Sequence, residues 1–285
     1  IRRNPLVEIL AINTGCLNNC TYCKTKHARG DLASYEVSEI CDRVRAVLKE
    51  GVREIWLTSE DTGAYGRDIG TNIGELLKAL TRVMDEEAEP DVMMRIGMTN
   101  PPYILDQLEE IAETLNHPHV YAFMHLPVQS ASDHVLDAMK RKYTREDFER
   151  VVDYLREKVP GIHIMTDIIA GFPSEEPEDW ADSMDLIRKY RFHSVQIPQF
   201  YPRPGTAAAK MKKLSTKVVK ARSREMSTFW RSYLPYEGRE GTRYRILVCE
   251  RARDGKRWAG RNKCYEQILV DPLPGVDLLG KSVDV

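Results

Sequence analysis

The chain has 285 residues, 42% of them hydrophobic and 30% charged, with 42 Lys and Arg against 43 Asp and Glu. That is enough apolar content for one large core and a small second domain, and no uncharged run approaches the length that spans a bilayer. Six cysteines, three of them between positions 16 and 23, do not make a secreted disulfide framework and point to a reducing, cytoplasmic setting.

The opening Ile1-Arg2-Arg3-Asn4-Pro5 has neither an initiator methionine nor an apolar leader, and reads as the continuation of upstream sequence. Beyond it, β-rich runs alternate with helical periods. The runs Val7–Asn13, Glu54–Thr58, Val92–Gly97, Val120–Leu126, Ile162–Ile169 and Ser194–Phe200 predict six strands. Between them, Ile40, Val44, Val47 and Leu48 mark one helix, and Ile104, Leu105, Leu108, Ile111 and Leu115 a second. Thr144 with Asp147 opens a third, carrying Phe148, Val151, Val152, Leu155 and Val159 on one stripe. A fourth runs from about Pro177 to Tyr190, and Gly51 and Gly161 sit where helices should stop. Six βα units in series predict an α/β fold, a parallel sheet curled into a partial (βα)6 barrel over residues 1–206. Two units short of a full barrel, it leaves an open side for a large substrate.

Residues 207–238 read as a basic, helical connector. From 239 to 285 the texture turns all-β, with Arg243–Glu250, Trp258–Arg261, Tyr265–Asp271 and Lys281–Val285 as short strands of a small barrel. Charge is unevenly spread. Phe200 to Tyr265 holds 18 Lys and Arg against 5 Asp and Glu, which is the footprint of a polyanion partner. In the β unit, Arg243, Arg245, Arg251, Arg253, Lys256, Arg257, Arg261 and Lys263 alternate with Tyr244, Trp258 and Tyr265. Cations for phosphates and aromatics for bases make a plausible RNA surface, although some of these rings must fill the unit's own core.

Cys16-Leu17-Asn18-Asn19-Cys20-Thr21-Tyr22-Cys23 follows the first strand directly. Three thiolates at this spacing can each bind a different iron of a cubane cluster, leaving a fourth iron open. The competing reading is zinc, which wants four ligands and could recruit His27 or Cys41. Cys41 shares the apolar stripe of Val44 and Leu48 and reads as core; Cys249 and Cys264 read as buried thiols.

These cysteines, with Tyr22 before the third, resemble the signature of the radical S-adenosylmethionine (SAM) superfamily. Arg29-Gly30, His125-Leu126-Pro127-Val128-Gln129-Ser130, Gly171-Phe172-Pro173 and Tyr201-Pro202-Arg203-Pro204-Gly205-Thr206 are similar to the tRNA methylthiotransferases. Thr58 to Gly66 and Met98-Thr99-Asn100-Pro101-Pro102 most resemble the branch acting on threonylcarbamoyladenosine beside the anticodon. The likeness extends to a C-terminal unit similar to the TRAM domain, an RNA-binding barrel. Ser174 departs from it, standing where the pattern has glycine.

The resemblance implies a [4Fe-4S] cluster on Cys16, Cys20 and Cys23 whose open iron takes the amino and carboxylate groups of SAM. One electron then cleaves SAM, and the resulting 5′-deoxyadenosyl radical abstracts hydrogen from C2 of the adenine. It implies the tRNA anticodon stem-loop as partner, an electron donor and a sulfur donor. A second [4Fe-4S] cluster belongs to an N-terminal domain that this sequence lacks, so sulfur insertion would not be completed by these residues alone.

For SAM itself, Ser59 and Glu60 stand at the end of the second strand, where the carboxylate suits an ammonium. Gln129 and Ser130 end the fourth, Thr166 and Asp167 are polar positions in an apolar strand, and Arg203 is a cation held between prolines. Tyr22 completes the expected cofactor set, and no membrane contact is expected from this segment. Two other readings stand beside this one: a radical SAM enzyme on another RNA base or a protein side chain, and an RNA-binding module with a structural zinc.

Overall fold

The computed structural model describes residues 2–233, 235–272 and 274–285. In chain order, β1 (Val7–Ala11) is followed by β2 (Asn13–Thr14), α1 (Thr25–Arg29), β3 (Ala33–Ser34), α2 (Val37–Lys49) and β4 (Glu54–Thr58). Next come α3 (Ile73–Glu87), β5 (Met93–Arg95), α4 (Leu108–Asn116), β6 (Phe123–His125), α5 (Asp133–Ala138) and α6 (Arg145–Lys158). Then follow β7 (His163–Asp167), α7 (Pro177–Tyr190), β8 (Ser194–Gln196) and α8 (Thr216–Ser232). The chain finishes with β9 (Arg245–Arg251), β10 (Trp258–Arg261), β11 (Gln267–Val270) and β12 (Ser282–Asp284).

β1, β4 and β5 pair in parallel, with Trp56 opposite Ile9 and Arg95. β6, β7 and β8 do the same, with Met165 opposite His125 and Ser194. A single parallel bridge, Met94 to Val120, joins the two halves into an arc of six strands in sequential order. Among the described residues β1 and β8 do not pair, so the arc is open. Strand period two decides what each face does. Leu10, Ile55, Leu57, Met94, Met124, Ile164 and Val195 point outward into the core against the helices. The alternate positions line a concave face of mixed character, on which Ile9 is 62% exposed while Glu54, Phe123 and His163 are buried.

Each of the six expected strands is present, mostly trimmed. The first breaks after Ala11 because Tyr35 N donates to the Ile12 carbonyl, 3.1 Å, and the chain leaves to pair β2 with β3. α4 starts at Leu108 rather than near Ile104, since Pro101–Tyr103 takes a tighter 3₁₀ turn. α6 begins as expected, with the Thr144 hydroxyl accepting from Asp147 N and the Asp147 carboxylate accepting from Thr144 N. α3 and α5 go beyond the sequence expectation, although Ile73, Leu76, Leu77, Leu80, Val83 and Met84 give α3 a clear buried stripe.

α8 packs on α7: Trp180 Nε1 donates to Glu225 at 2.8 Å, Arg222 pairs with Glu175 at 2.5 Å, and Met226 enters the core. The C-terminal unit is a separate antiparallel sheet in the order β11-β10-β9-β12. Among the described residues this sheet, expected to be barrel-like, does not close. β12 is only three residues long and pairs with β9 alone, leaving β11 and β12 as edges among the described residues. Ile246, Val248, Trp258 and Leu278 form its own small core.

The turn between β10 and β11 fastens this sheet to the arc. Ala122 N donates to the Lys263 carbonyl at 2.8 Å. Lys263 Nζ donates to the carbonyls of Leu115 (3.0 Å), His117 (2.6 Å) and Val120, around the end of α4. Tyr265, at φ 62, lays its ring 4.8 Å from Tyr121 and 4.9 Å from Phe123, under the amino ends of the strands.

Candidate active site

The thiol loop leaves the carboxyl end of β1 through β2. Gly15 is required there: its φ is 69°, and a Cβ would meet the Asp31 carbonyl at 1.8 Å. Cys16 N donates to the Gly30 carbonyl (3.2 Å) and Cys23 N to the Cys20 carbonyl (3.1 Å). Thr21 pins the middle of the loop, donating its N–H to the Met139 carbonyl and its hydroxyl to that of Ala138, while its own carbonyl accepts from Ala208 N. Tyr22 turns its ring onto Phe172, edge to face at 6.5 Å, against the cluster of Val135, Met139 and Ile169. Tyr22 therefore holds the loop down on an apolar floor.

Cys16 is buried, and Cys20 and Cys23 are half-buried. Two donors already face the sulfurs: Arg141 Nη1 lies 3.5 Å from Cys20 Sγ, and Thr25 N lies 3.4 Å from Cys23 Sγ. Burial pushes the Cys16 thiol up to about 11, so at neutral pH a bound metal is what would hold it as thiolate. Neither residue expected as a fourth zinc ligand joins the thiols. His27 is exposed on α1, and Cys41 packs in the helix core. Three thiols on a shielded loop with N–H donors aimed at sulfur fit a multi-iron cluster.

Beneath the loop lies a buried polar network that the sequence reading does not single out. Asp61 accepts from Asn100 N (3.1 Å), Asn100 Nδ2 (2.6 Å) and Asn18 Nδ2 (3.3 Å). Tyr103 donates to Asn18 Oδ1 at 2.5 Å, and Arg141 Nη2 donates to Asn100 Oδ1. Arg141 Nε also reaches the Tyr143 hydroxyl at 3.2 Å. The loops after β1, β4 and β5 and the turn after α5 are thereby locked to one another. Burial raises the Asp61 carboxyl to about 6, against these donors.

The expected SAM residues all lie at or beyond the carboxyl ends of the strands, in different settings. Ser59 Oγ accepts from Asp61 N at 3.0 Å, a turn contact. Glu60 faces Arg29 at 3.8 Å, with both side chains well exposed. Gln129 adopts φ 69, its N–H donating to the Asp167 carbonyl and its carbonyl accepting from Ile169 N. Ser130 is buried, and its hydroxyl accepts from Ser132 N.

Thr166 and Asp167 divide between the two faces. The Thr166 hydroxyl ties to the Leu126 carbonyl at 2.8 Å, whereas Asp167 Oδ1 meets His125 Nε2 at 3.0 Å on the concave side. Arg203 is exposed, and the turn it begins is closed by Thr206. Some of the basic β-unit positions are committed internally: Lys263 and Tyr265 to the arc, Trp258 to the sheet core under Arg251 at 4.0 Å, and Arg245 to Asp91 at 2.8 Å.

An open parallel arc with a shielded three-thiol loop at its carboxyl end defines a metallocluster enzyme fold, and comparison with known proteins agrees. The chain belongs to the Radical SAM superfamily, whose family model matches residues 10–187. It is 57% identical over 285 residues to the threonylcarbamoyladenosine tRNA methylthiotransferase of Homo sapiens, covering 100% of this chain and 48% of that protein. The Drosophila melanogaster protein of the same name is 56% identical over 286 residues, covering 100% and 50%. The probable enzyme of Pyrococcus abyssi is 46% identical over 216 residues, covering 76% and 50%. The chain thus spans about half the length of these curated relatives.

Among solved structures, coproporphyrinogen III oxidase of Escherichia coli superposes with a TM-score of 0.58 at 16% identity, covering 92% of this chain and 68% of that one. A radical SAM methyltransferase of Kitasatospora setae gives 0.57 at 20% identity, covering 71% and 38%. Both likenesses concern the fold alone. No helix among the described residues is long and apolar enough to cross a membrane.

Proposed function

We propose that this chain is the catalytic core of an enzyme that methylthiolates threonylcarbamoyladenosine next to the anticodon of tRNA. The observation carrying this is the shielded thiol loop in a chain 56–58% identical, over its whole length, to relatives bearing that name. Cys16, Cys20 and Cys23 would hold a [4Fe-4S] cluster, with Arg141 and Thr25 donating to their sulfurs. When bound, the cluster supplies the electron that cleaves SAM into methionine and the hydrogen-abstracting radical. Tyr22 keeps the loop in place. Glu60 is the carboxylate proposed for the SAM ammonium, and Asp167, oriented by His125, the one for its ribose. Gln129, with Ser59 and Ser130 shaping the turns, and Arg203 complete the proposed SAM contacts.

The RNA path is proposed along two basic surfaces. Arg203, Lys210, Lys212, Lys213, Lys217 and Lys220 are exposed on the segment that Ala208 ties to Thr21, beside the thiol loop. Arg243, Arg253 and Lys256 are exposed on the C-terminal sheet. Residues 1–206, 207–238 and 239–285 would then act as catalytic arc, basic connector and RNA-binding unit. The second cluster, the sulfur donor and the electron donor are assigned to parts of the system outside these residues, in the reducing cytoplasm.

The test incubates the full-length protein with SAM, a low-potential reductant, a sulfide source and an anticodon stem-loop containing threonylcarbamoyladenosine. RNA heavier by one methylthio group is the expected product. Turnover of SAM with unchanged RNA would overturn the assignment of substrate.

A further inference from the structure

On the concave face, below the mouth, sits a cation with no direct ion pair among the described residues, although the Glu54 carboxylate lies within electrostatic range. Arg95 ends β5, and strand alternation sends its neighbours Met94 and Ile96 into the core while Arg95 faces inward. Its guanidinium carbon lies 4.9 Å from the Phe123 ring, 5.0 Å from Tyr265 and 5.6 Å from Trp56. Three rings thus surround the guanidinium, and no hydrogen-bond partner takes its N–H groups among the described residues. Nε is buried with no hydrogen-bond partner, and among the described residues no carboxylate forms an ion pair with the group. Glu54, two residues before Trp56, instead accepts from the Trp56 indole at 2.8 Å.

The space beside this cage is hollow. A cavity of about 800 Å³ shares the Trp56 wall with the cage and is lined further by Ile9, Glu54 and Arg261. Toward the mouth, the His125–Asp167 pair stands roughly 7 Å further along the strands, two residues at the strand rise.

A desolvated guanidinium fixed by stacking, with its fork unused, is a receptor for a planar anion. The substrate named for the relatives carries one: the threonine of threonylcarbamoyladenosine keeps its free carboxylate. We propose that Arg95 binds this carboxylate through its free edge and thereby selects the threonylcarbamoyl base over adenosines lacking an anion. This deepens, and rests on, the substrate reading above. The aromatic cage both orients the fork and excludes the water that would otherwise screen it.

The test measures binding of the full-length protein to three anticodon stem-loops, carrying threonylcarbamoyladenosine, its neutral threonine carboxamide, and plain adenosine. The wild type should prefer the acid over the amide by roughly ten- to a hundredfold, as a charge-assisted hydrogen bond gives. Arg95→Gln should erase that preference while binding plain-adenosine RNA as the wild type does. Equal wild-type affinity for acid and amide, or a preference that survives Arg95→Gln, overturns the proposal. If Arg95→Gln fails to bind plain RNA, and so is misfolded, Arg95→Lys decides. It keeps the charge in the cage but loses the fork, so its preference should shrink several-fold; an unchanged preference overturns the assignment. Wild-type discrimination without methylthio product would defeat the reading of the reaction and leave the carboxylate site standing. Equal product from acid and amide would defeat the site alone.

Discussion

The two ends of the same six strands are built by opposite means. At the carboxyl ends, segments from four loops meet through Asp61, Asn100, Asn18 and Arg141, and every member is held by a polar partner. Toward the amino ends, Tyr265 stacks on Tyr121 and Phe123 and a turn from another sheet closes the floor, with Arg95 caged by Phe123, Tyr265 and Trp56 in the layer above it. Burial also shifts their titrating groups in opposite directions, lifting Asp61 to about 6 and lowering His163 to about 4. The difference shows a division of labour: hydrogen bonds tie the thiol loop to its neighbouring loops, while stacking and a buried ammonium tie the C-terminal sheet to the arc.

The largest expected effect breaks the upper end. Cys20→Ala should reduce SAM cleavage to background and remove the brown chromophore of an anaerobic preparation, read by absorbance and 5′-deoxyadenosine assay; turnover retained would refute the ligand assignment. Next comes Arg141→Met, which leaves Asn100 Oδ1 and Cys20 Sγ without their donor. It should lower both iron content and stability, the latter by about 2–3 kcal/mol, as expected for buried hydrogen bonds to a charged group. Iron retention equal to the wild type would show that the network does not steady the loop.

At the lower end, Lys263→Met should cost about 2 kcal/mol in denaturant unfolding, because carbonyls around the end of α4 lose their shared donor. Burial pulls that ammonium down to about 8, so the cost of keeping it charged is relieved, and the fold gains stability, as pH rises above 8. The smallest effect is a slope. His163 is lowered from 6.5 by burial and by its neighbours His193 and Arg239, so the fold favours its neutral form. The stability it lends is full above pH 6.5 and falls as pH drops toward 4, by on the order of 2 kcal/mol at pH 5. Asp61, raised above its ordinary value, works the other way, favouring the fold at low pH and losing that share as pH rises toward 6. Stability measured at pH 7 and pH 5 should therefore fall less with His163→Asn and more with Asp61→Asn; identical slopes would cancel the opposition between the two ends.

Local patterns were readable and distant meetings were not. The thiol loop needs only eight consecutive residues and a preceding strand, and Cys41 shows itself as core by its helical stripe. Asp61 is one position past the Ser59-Glu60 pair that the sequence points to, and only packing reveals which acid is buried. Arg141 hides in Lys140-Arg141-Lys142, a run that reads as solvated surface, because its partner Asn100 lies 41 positions away. Lys263 and Tyr265 look like RNA contacts in a basic, aromatic stretch. Their insertion beneath the arc is a tertiary event with no periodicity to announce it. The open edge of the C-terminal sheet was equally hidden, since strand count alone cannot tell a closed barrel from four strands with free edges.

The most direct test of the central claim is anaerobic reconstitution of the full-length protein with iron and sulfide, followed by dithionite and SAM. The account predicts a cluster whose iron content falls by four atoms in the triple Cys16, Cys20, Cys23→Ala variant, with 5′-deoxyadenosine formed only by the wild type. A protein that keeps all its iron in that variant, or cleaves SAM without those thiols, would contradict it.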